Sequence, residues 1–440
     1  MALVDEAEDL LARLHAANDA FARHFVGARA LRQPLHTLYW GAHRMRADSF
    51  VRLGEAARDM FDTYAENPGQ LARALGIHDE ALASTVHARV RAKLQREPIE
   101  DLRIDFEDGY GIRPDAEEDA DADGCARALA QAVKAGEASA CSGIRVKPLT
   151  DPCARRSIAT IERFVGTLVD ALGGLPPGFR ITLPKVQVVE HVEVACDLLA
   201  RVEQRFGLPA LALPLEFMVE VSQVLFDRNG RFQLPLLVRA GGSRLVAVAL
   251  GVYDFTASCN VTAAWQSIDH RVCDLARGLM TLGVAGTGVQ LCDGSTNVLP
   301  VEPHPRDDAH DLVNREAVWR AWRLSHEHVQ RSLVDGWVQG WDLHPAQLSV
   351  RFASCFRFYR EALPAASARL SGYLARAVAA TDEAAVLDDA ATGHALLGFF
   401  ARAHQSGAID DADLRAAGLG DGELDGRSFA ELLASRRAAQ

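Results

Sequence analysis

With 440 residues, 49% of them hydrophobic and 24% charged, the chain has the balance of a soluble globular protein with a sizeable core. Its formal net charge of −12 argues against a nucleic-acid groove, which needs a basic stripe, and gives no attraction to anionic lipid. The ligands expected are therefore small molecules, and the length suits a barrel of roughly 250 residues or more with an appendage.

The chain opens MALVDEAEDLLARLHAANDAF, with acids where a signal peptide needs basic residues and an apolar run. No stretch is apolar enough for a membrane span. Apolar positions at helical spacing over residues 3–25 (Leu10, Leu11, Leu14, Phe21, Phe25) predict an amphipathic helix packed outside the main fold, within an N-terminal extension covering residues 1–34. The cysteines Cys125, Cys141, Cys153, Cys196, Cys259, Cys273, Cys292 and Cys355 form no CxxC pair or tight framework. They read as small buried hydrophobes of a reducing, cytoplasmic compartment.

Short apolar runs then alternate with longer helical patterns. The runs are Leu35–Trp40, Leu102–Phe106, Ile144–Val146, Ile181–Val186, Ala210–Phe217, Leu245–Tyr253, Val289–Cys292 and Trp337–Leu343. Between them, stretches such as Ala116–Val133, Ala154–Leu172, His191–Phe206 and Asp269–Leu282 are long enough to return the chain in parallel. Eight such units favour a closed (β/α)₈ TIM barrel over an open doubly wound sheet, and no GxGxxG follows the first strand. The barrel is expected over residues 35–360. A hairpin insertion is expected near 226–242, marked by the turn Asp227–Arg228–Asn229–Gly230. Residues 361–440 are expected to form a C-terminal helical appendage (Ser367–Ala380, Ala384–His404, Phe429–Ala439).

In a barrel of this kind the chemistry collects where the strands end. The second run ends in Asp105, Phe106, Glu107 and Asp108, the third carries Arg145, and the fourth ends at Lys185. The fifth ends at Glu216, the sixth at Asp254, the seventh at Asp293 and the eighth at His344. Glu216 and Asp254, on strands expected to be neighbours, are the metal pair this pattern favours, since magnesium takes oxygen ligands and one or two carboxylates. A metal there would polarise a carbonyl and hold enolate charge. Arg145 would bind a substrate carboxylate or face the oxyanion.

Each residue also has a plainer reading. A lone acid closing a strand also serves as a helix N-cap or an ion-pair partner. Lys185 is either a Schiff-base nucleophile or, among so many acids, a charged support. The run Asp115–Asp123 is a solvated helix start, and His326 and His328, two apart on a helix, do not share a face.

The segments DFEDGYG, GIRVKP, LPKVQ, LPLEF, ALGVYDFTAS, LCDGSTN and GWVQGWDLHPAQ, in that order from about Leu35 to Gln347, resemble the superfamily that joins citrate lyase β-subunit-like lyases to malate synthase. That resemblance implies magnesium or manganese on Glu216 and Asp254, with Arg145, Glu107 and Asp108 catalytic. It implies supporting roles for Asp105, Asp293 and His344, and substrate contacts from Arg145, Lys185 and the first-loop Arg44 and Arg46. Coenzyme A would be part of an acyl thioester substrate, with a free 2-oxo acid left open, and the assembly would be a homo-oligomer. The expected reaction is a citrate lyase-like carbon–carbon cleavage or its Claisen-type reverse. A malate synthase-like condensation of glyoxylate with an acyl thioester is the alternative, and a non-catalytic binding barrel is a reading of another class. The general base stays open among Asp335, Asp342 and the tail's acids.

Overall fold

A computed structural model describes residues 7–27, 31–379, 390–420, 422–424 and 429–438. Eight parallel strands close into one barrel in chain order: β1 (His36–Gly41), β2 (Asp101–Asp105), β3 (Cys141–Arg145), β4 (Phe179–Leu183), β5 (Leu215–Val219), β6 (Leu245–Leu250), β7 (Gln290–Asp293) and β8 (Gln339–Asp342). Strand β1 pairs with β8 through His36 and Gly340, which removes both sheet edges. Crossover helices cover the outside, among them Asp115–Ala135, Ala154–Leu172, Val189–Arg205 and Arg271–Val284. Their inward stripes, such as Ile161, Phe164, Val165 and Leu168, pack onto the outward strand residues to make the main core.

The strand interiors are nearly all buried, yet the lumen is largely polar. Alternation along β2 sends Asp101, Arg103 and Asp105 inward while Leu102 and Ile104 join the outer core. Arg103 donates from Nη2 to Asp101 Oδ2 (2.8 Å) and from Nη1 to Glu216 Oε1 (2.8 Å), and also to Thr182 Oγ1. Thr182 donates to the same Glu216 oxygen (2.8 Å), and Thr37 donates to Asp101 (3.0 Å). Opposite charges in the lumen therefore answer one another, which is the condition for keeping them buried.

Two expectations change. The turn at 227–230 is present, closed by an antiparallel bridge between Phe226 and Phe232, but Leu234–Gly241 is a helix and not the returning strand of a hairpin. Its apolar residues Leu234, Leu237 and Val238 recur at three and four and pack inward, so helical spacing prevails. At the other end, the Leu348–Ala379 helix runs from the barrel straight through Pro364 into the tail. The tail is pinned to the barrel wall by Arg89, whose Nη2 lies 2.8 Å from Asp410 and 3.1 Å from Asp413, and by Arg360, 2.6 Å from Asp413. The predicted Ala384–His404 helix corresponds to Ala390–Ser406, its residues 384–389 lying outside the described residues, as do residues 3–6 of the first helix.

His36, at the floor of the barrel, accepts a hydrogen bond at Nε2 from the Glu100 N–H (3.1 Å). Burial drives its pKa down to about 4. The folded chain therefore refuses a proton that the unfolded chain takes below 6.5, and this part of the stability is lost as pH falls from 6.5 towards 4. The difference in unfolding free energy between the wild type and His36→Gln, from urea titrations, is expected to change over that window by up to about 1.4 kcal/mol per pH unit. A pH-independent difference would contradict the assignment.

Candidate active site

The C-terminal ends of β2 to β6 bring together one dense cluster of charge. Asp105, the last residue of β2, grips Arg145 at the end of β3 in a two-toothed contact: Nε donates to Oδ1 (2.7 Å) and Nη2 to Oδ2 (2.6 Å). The backbone turns sharply after β2, so that the Glu107 and Gly109 amides also donate to Asp105 (3.0 and 2.7 Å). Gly109 is required in that turn, because a Cβ there would lie 2.6 Å from Asp105 Oδ2. The guanidinium is further confined against Tyr39, 4.8 Å from the ring centre, and Trp341, at 5.8 Å. With Nε and Nη2 committed, Nη1 faces Glu107 Oε2 (3.4 Å), Asp108 Oδ2 (3.8 Å) and Glu220 Oε1 (3.9 Å).

Lys185 lies just past β4 with a positive φ of 50°, which turns its backbone N–H onto Glu220 Oε2 (2.7 Å). Its ammonium lies 2.5 Å from Glu107 Oε1 and 3.3 Å from both Asp108 and Asp254. Asp254 stands in the first turn of the Val252–Ser258 helix that follows β6. Oxygens of Asp108, Glu220 and Asp254 all fall within 4.8 Å of one another. Burial, reinforced by Glu107 and Asp254 against the pull of Arg145 and Lys185, pushes the Glu220 carboxyl up to about 7. Burial likewise raises Glu107 to about 6 despite Arg145.

The structure thus gathers Arg145, Lys185, Asp105, Glu107, Asp108 and Asp254, and leaves Glu216 out. Glu216 sits two same-face steps below Glu220 in the lumen, 1% exposed, ion-paired to Arg103. The acid beside Asp254 is Glu220, four residues further on. Positions 216, 218 and 220 share one face by strand alternation, so pattern alone did not set the height. The signal that separates them is where β5 stops: Val219 ends the strand, and Glu220 is the first residue past it.

The remaining candidates lie outside the cluster. Asp293 accepts from Ser332 Oγ (2.6 Å) and lies 3.5 Å from Arg277, which makes it a buried structural acid. His344 caps the Pro345–Gln347 turn, accepting from the Ala346 N–H (3.2 Å). Arg44 is exposed, its guanidinium 5.5 Å from the Trp40 ring centre. Arg46 lines an open cleft of about 320 Å³ with Met45, Cys125 and Arg127. Of the open candidates for a base, Asp342 is buried in a two-toothed pair with Arg351 (2.6 and 3.0 Å), and Asp335 is 3.8 Å from Arg277. Among the described tail acids, Asp410 and Asp413 serve the pairs with Arg89 and Arg360.

Fold and site together define a parallel (β/α)₈ barrel whose mouth carries an acidic cluster suited to a divalent cation beside a fixed arginine. The chain belongs to the family described as a domain of unknown function (DUF6986), which it matches over residues 14–432. No curated protein matches its sequence. Among solved structures it is similar to Haloferax volcanii malate synthase in its lead(II) complex, at 15% identity over 74% of each chain with a TM-score of 0.46. The magnesium/glyoxylate complex of that enzyme matches at 14% identity over 93% of this chain and 99% of that one, with a TM-score of 0.45. An HpcH/HpaI aldolase/citrate lyase family protein from Burkholderia cenocepacia J2315 matches at 14% identity over 70% of this chain and 96% of that one, with a TM-score of 0.35. These are distant likenesses of fold. Among the described residues no helix is long and apolar enough to cross a membrane.

Gly251, between β6 and Asp254, offers a sharp test of the cluster, because a Cβ there would lie 2.3 Å from Glu220 Cγ. Gly251→Ala is expected to displace Glu220, cost about 1–3 kcal/mol in thermal unfolding and weaken divalent-cation binding by about tenfold or more in calorimetric titration. Unchanged cation affinity would show that Glu220 is not a ligand.

Proposed function

We propose that this chain is a divalent-metal-dependent enzyme that makes or breaks a carbon–carbon bond beside a carbonyl, acting on an acyl thioester or a 2-oxo acid. The observation that carries the reading is the convergence of Asp108, Glu220 and Asp254 within 4.8 Å, with Arg145 Nη1 3.9 Å from Glu220. The donor set suits magnesium or manganese: all oxygen and all carboxylate. Ligands on opposite sides of a magnesium ion stand about 4.2 Å apart, so the cluster fits with small side-chain adjustment. The charge balance points the same way. Asp105, Glu107, Asp108, Glu220 and Asp254 are answered at the mouth by Arg145 and Lys185, and Glu220 is pushed up to about 7, first by burial and then by its neighbours Glu107 and Asp254.

A divalent cation held by these acids supplies Lewis-acid polarisation of a substrate carbonyl. The chain's own residues do the rest. Arg145 is fixed by Asp105 in one orientation, and its Nη1 edge, which faces Glu107, Asp108 and Glu220, is the part turned to the mouth, where it would meet a substrate carboxylate or the negative charge that develops as the carbon–carbon bond changes. Because Asp105 and the aromatic pair hold the guanidinium in advance, little reorganisation is needed at the moment of reaction. Glu107, raised to about 6 and hydrogen-bonded at Oε1 by Lys185, is the group suited to hold and move a proton near neutral pH. Lys185, charged and shared among three acids, orients that carboxyl. The segment order shared with citrate lyase β-subunit-like lyases and malate synthase supports the same class of reaction. The Haloferax volcanii structures hold glyoxylate in one complex and pyruvate with acetyl-CoA in another, and these compounds open the substrate panel.

Mg²⁺ is expected to raise the melting temperature by binding the folded state, a stabilisation of about 2.7 kcal/mol at a hundredfold excess over Kd. Glu220→Gln and Asp254→Asn should abolish that rise. Glu216→Gln should lower the melting temperature itself, by breaking the pair with Arg103, and leave the rise intact. A rise that survives Glu220→Gln and vanishes in Glu216→Gln would refute the ligand assignment. Separately, Arg145→Lys should keep the Mg²⁺ response and lose turnover by about 10²- to 10³-fold in mass-spectrometric assays of acyl thioesters and 2-oxo acids, since an ammonium cannot reproduce the planar fork. Full turnover in that variant would remove the arginine's role.

A further inference from the structure

The N-terminal helix, Glu8–His24, has no buried residue, yet it is amphipathic. Leu10, Leu14, Ala17 and Phe21 follow helical spacing, with Leu14 54% and Phe21 63% exposed. A lone helix of this length is marginal in water, because helices in proteins draw most of their stability from packing one face. The chain anchors its root: the Gly27 N–H donates to Gly286 O (2.9 Å), just past the Arg271–Val284 helix of the barrel wall.

That wall helix carries the matching feature. Its outward face presents Leu275 (61% exposed) and Leu282 (74% exposed), seven residues apart like Leu14 and Phe21. Val334, exposed at the end of the neighbouring Asp311–Val334 helix, adds to the apolar flank, and Arg331 of that helix pairs with Asp274 of the wall helix. Between the leucines stands Gly278, exposed, in mid-helix, where glycine weakens a helix. Among the described residues nothing demands it: a Cβ there would meet no atom within 4 Å. A glycine on an outward face lets a second helix approach closely.

We propose that the Glu8–His24 helix of one protomer packs on the Arg271–Val284 face of a second copy of this chain, and reciprocally, in a twofold dimer. One chain carries both halves of the contact, with equal seven-residue repeats, and a twofold axis satisfies both at once. The helix is about 25 Å long and about 10 Å wide, and the reciprocal pair doubles its footprint. That makes about 500 Å² per partner and about 1,000 Å² in all, the lower mark for a specific interface.

The test uses the full chain at micromolar concentration, with mass read by light scattering and sedimentation. The wild type is expected to be a dimer. Phe21→Asp and Leu282→Asp, both at exposed positions, should each weaken dimerisation by about 100-fold or more with the thermal midpoint of the barrel retained. Gly278→Leu should weaken it by filling the gap. Mixing Phe21→Asp with Leu282→Asp protein should recover dimers, because one of the two helix-to-face contacts is then wild type on both sides. A monomeric wild type, a dimer that survives both charged substitutions, or a mixture that stays monomeric would each overturn the proposal.

Discussion

Repulsion among carboxylates is the constraint on which the mouth of this barrel depends. Asp105, Glu107, Asp108, Glu220 and Asp254 arrive from the ends of β2 and β5 and from just after β6. Two unit charges about 4 Å apart repel by about 1 kcal/mol in water and by about 4 kcal/mol in the partly buried surroundings of such a site. The chain offsets part of this with Arg145 and Lys185, each shared among several acids. Asp105 is the one acid given a full partner, and by binding Arg145 with both oxygens it stops that residue from neutralising the others completely. The deficit falls on Glu220 and Glu107, whose carboxyls are lifted towards neutrality by burial. On the function proposed, a site so arranged is prepared for an added cation and for an anionic substrate.

The lumen below obeys the opposite rule. There Arg103 is matched by Asp101 and Glu216, with Thr182 and Thr37 supplying hydroxyls. With Arg180 3.9 Å from Glu216, the charges of this layer are matched two to two, although Asp101 Oδ1, Glu216 Oε2 and Arg103 Nε are left without hydrogen-bond partners among the described residues. Between the two layers lies a small apolar floor of Tyr39, Met218, Ala249, Cys292 and Trp341, separate from the main core. Tyr39 and Trp341 form the upper face of that floor, and the Arg145 guanidinium rests on it. Structure and site are thus divided by height along the barrel axis.

That division by height explains what could be read from the sequence and what could not. The barrel itself was legible, because each strand is a short buried run and each crossover a periodic amphipathic stretch; the Ala154–Leu172 helix was read to the residue. Arg145, Lys185, Asp254 and the DFED acids were legible as residues of one barrel mouth because each lies at the end of its run. Glu216 was misplaced because residues 210–214, read as strand, belong to the preceding loop, and β5 starts at Leu215. The reading therefore set the candidate acid in the lower layer with Arg103, and the structure sets Glu220 in the cluster at the mouth. The segment 234–241 misled for a related reason: a clear turn signal at 227–230 fixes the turn and says nothing about whether strand or helix follows. Contacts between distant segments, such as the hold of Asp105 on Arg145, leave no pattern in one sequence at all.

The most direct measurement is the anomalous diffraction of a crystal soaked in Mn²⁺. The account predicts a single strong peak among the carboxylates of Asp108, Glu220 and Asp254, with Glu216 still bound to Arg103 beneath it. A peak at Glu216, or none at the mouth of a well-ordered crystal, would contradict it.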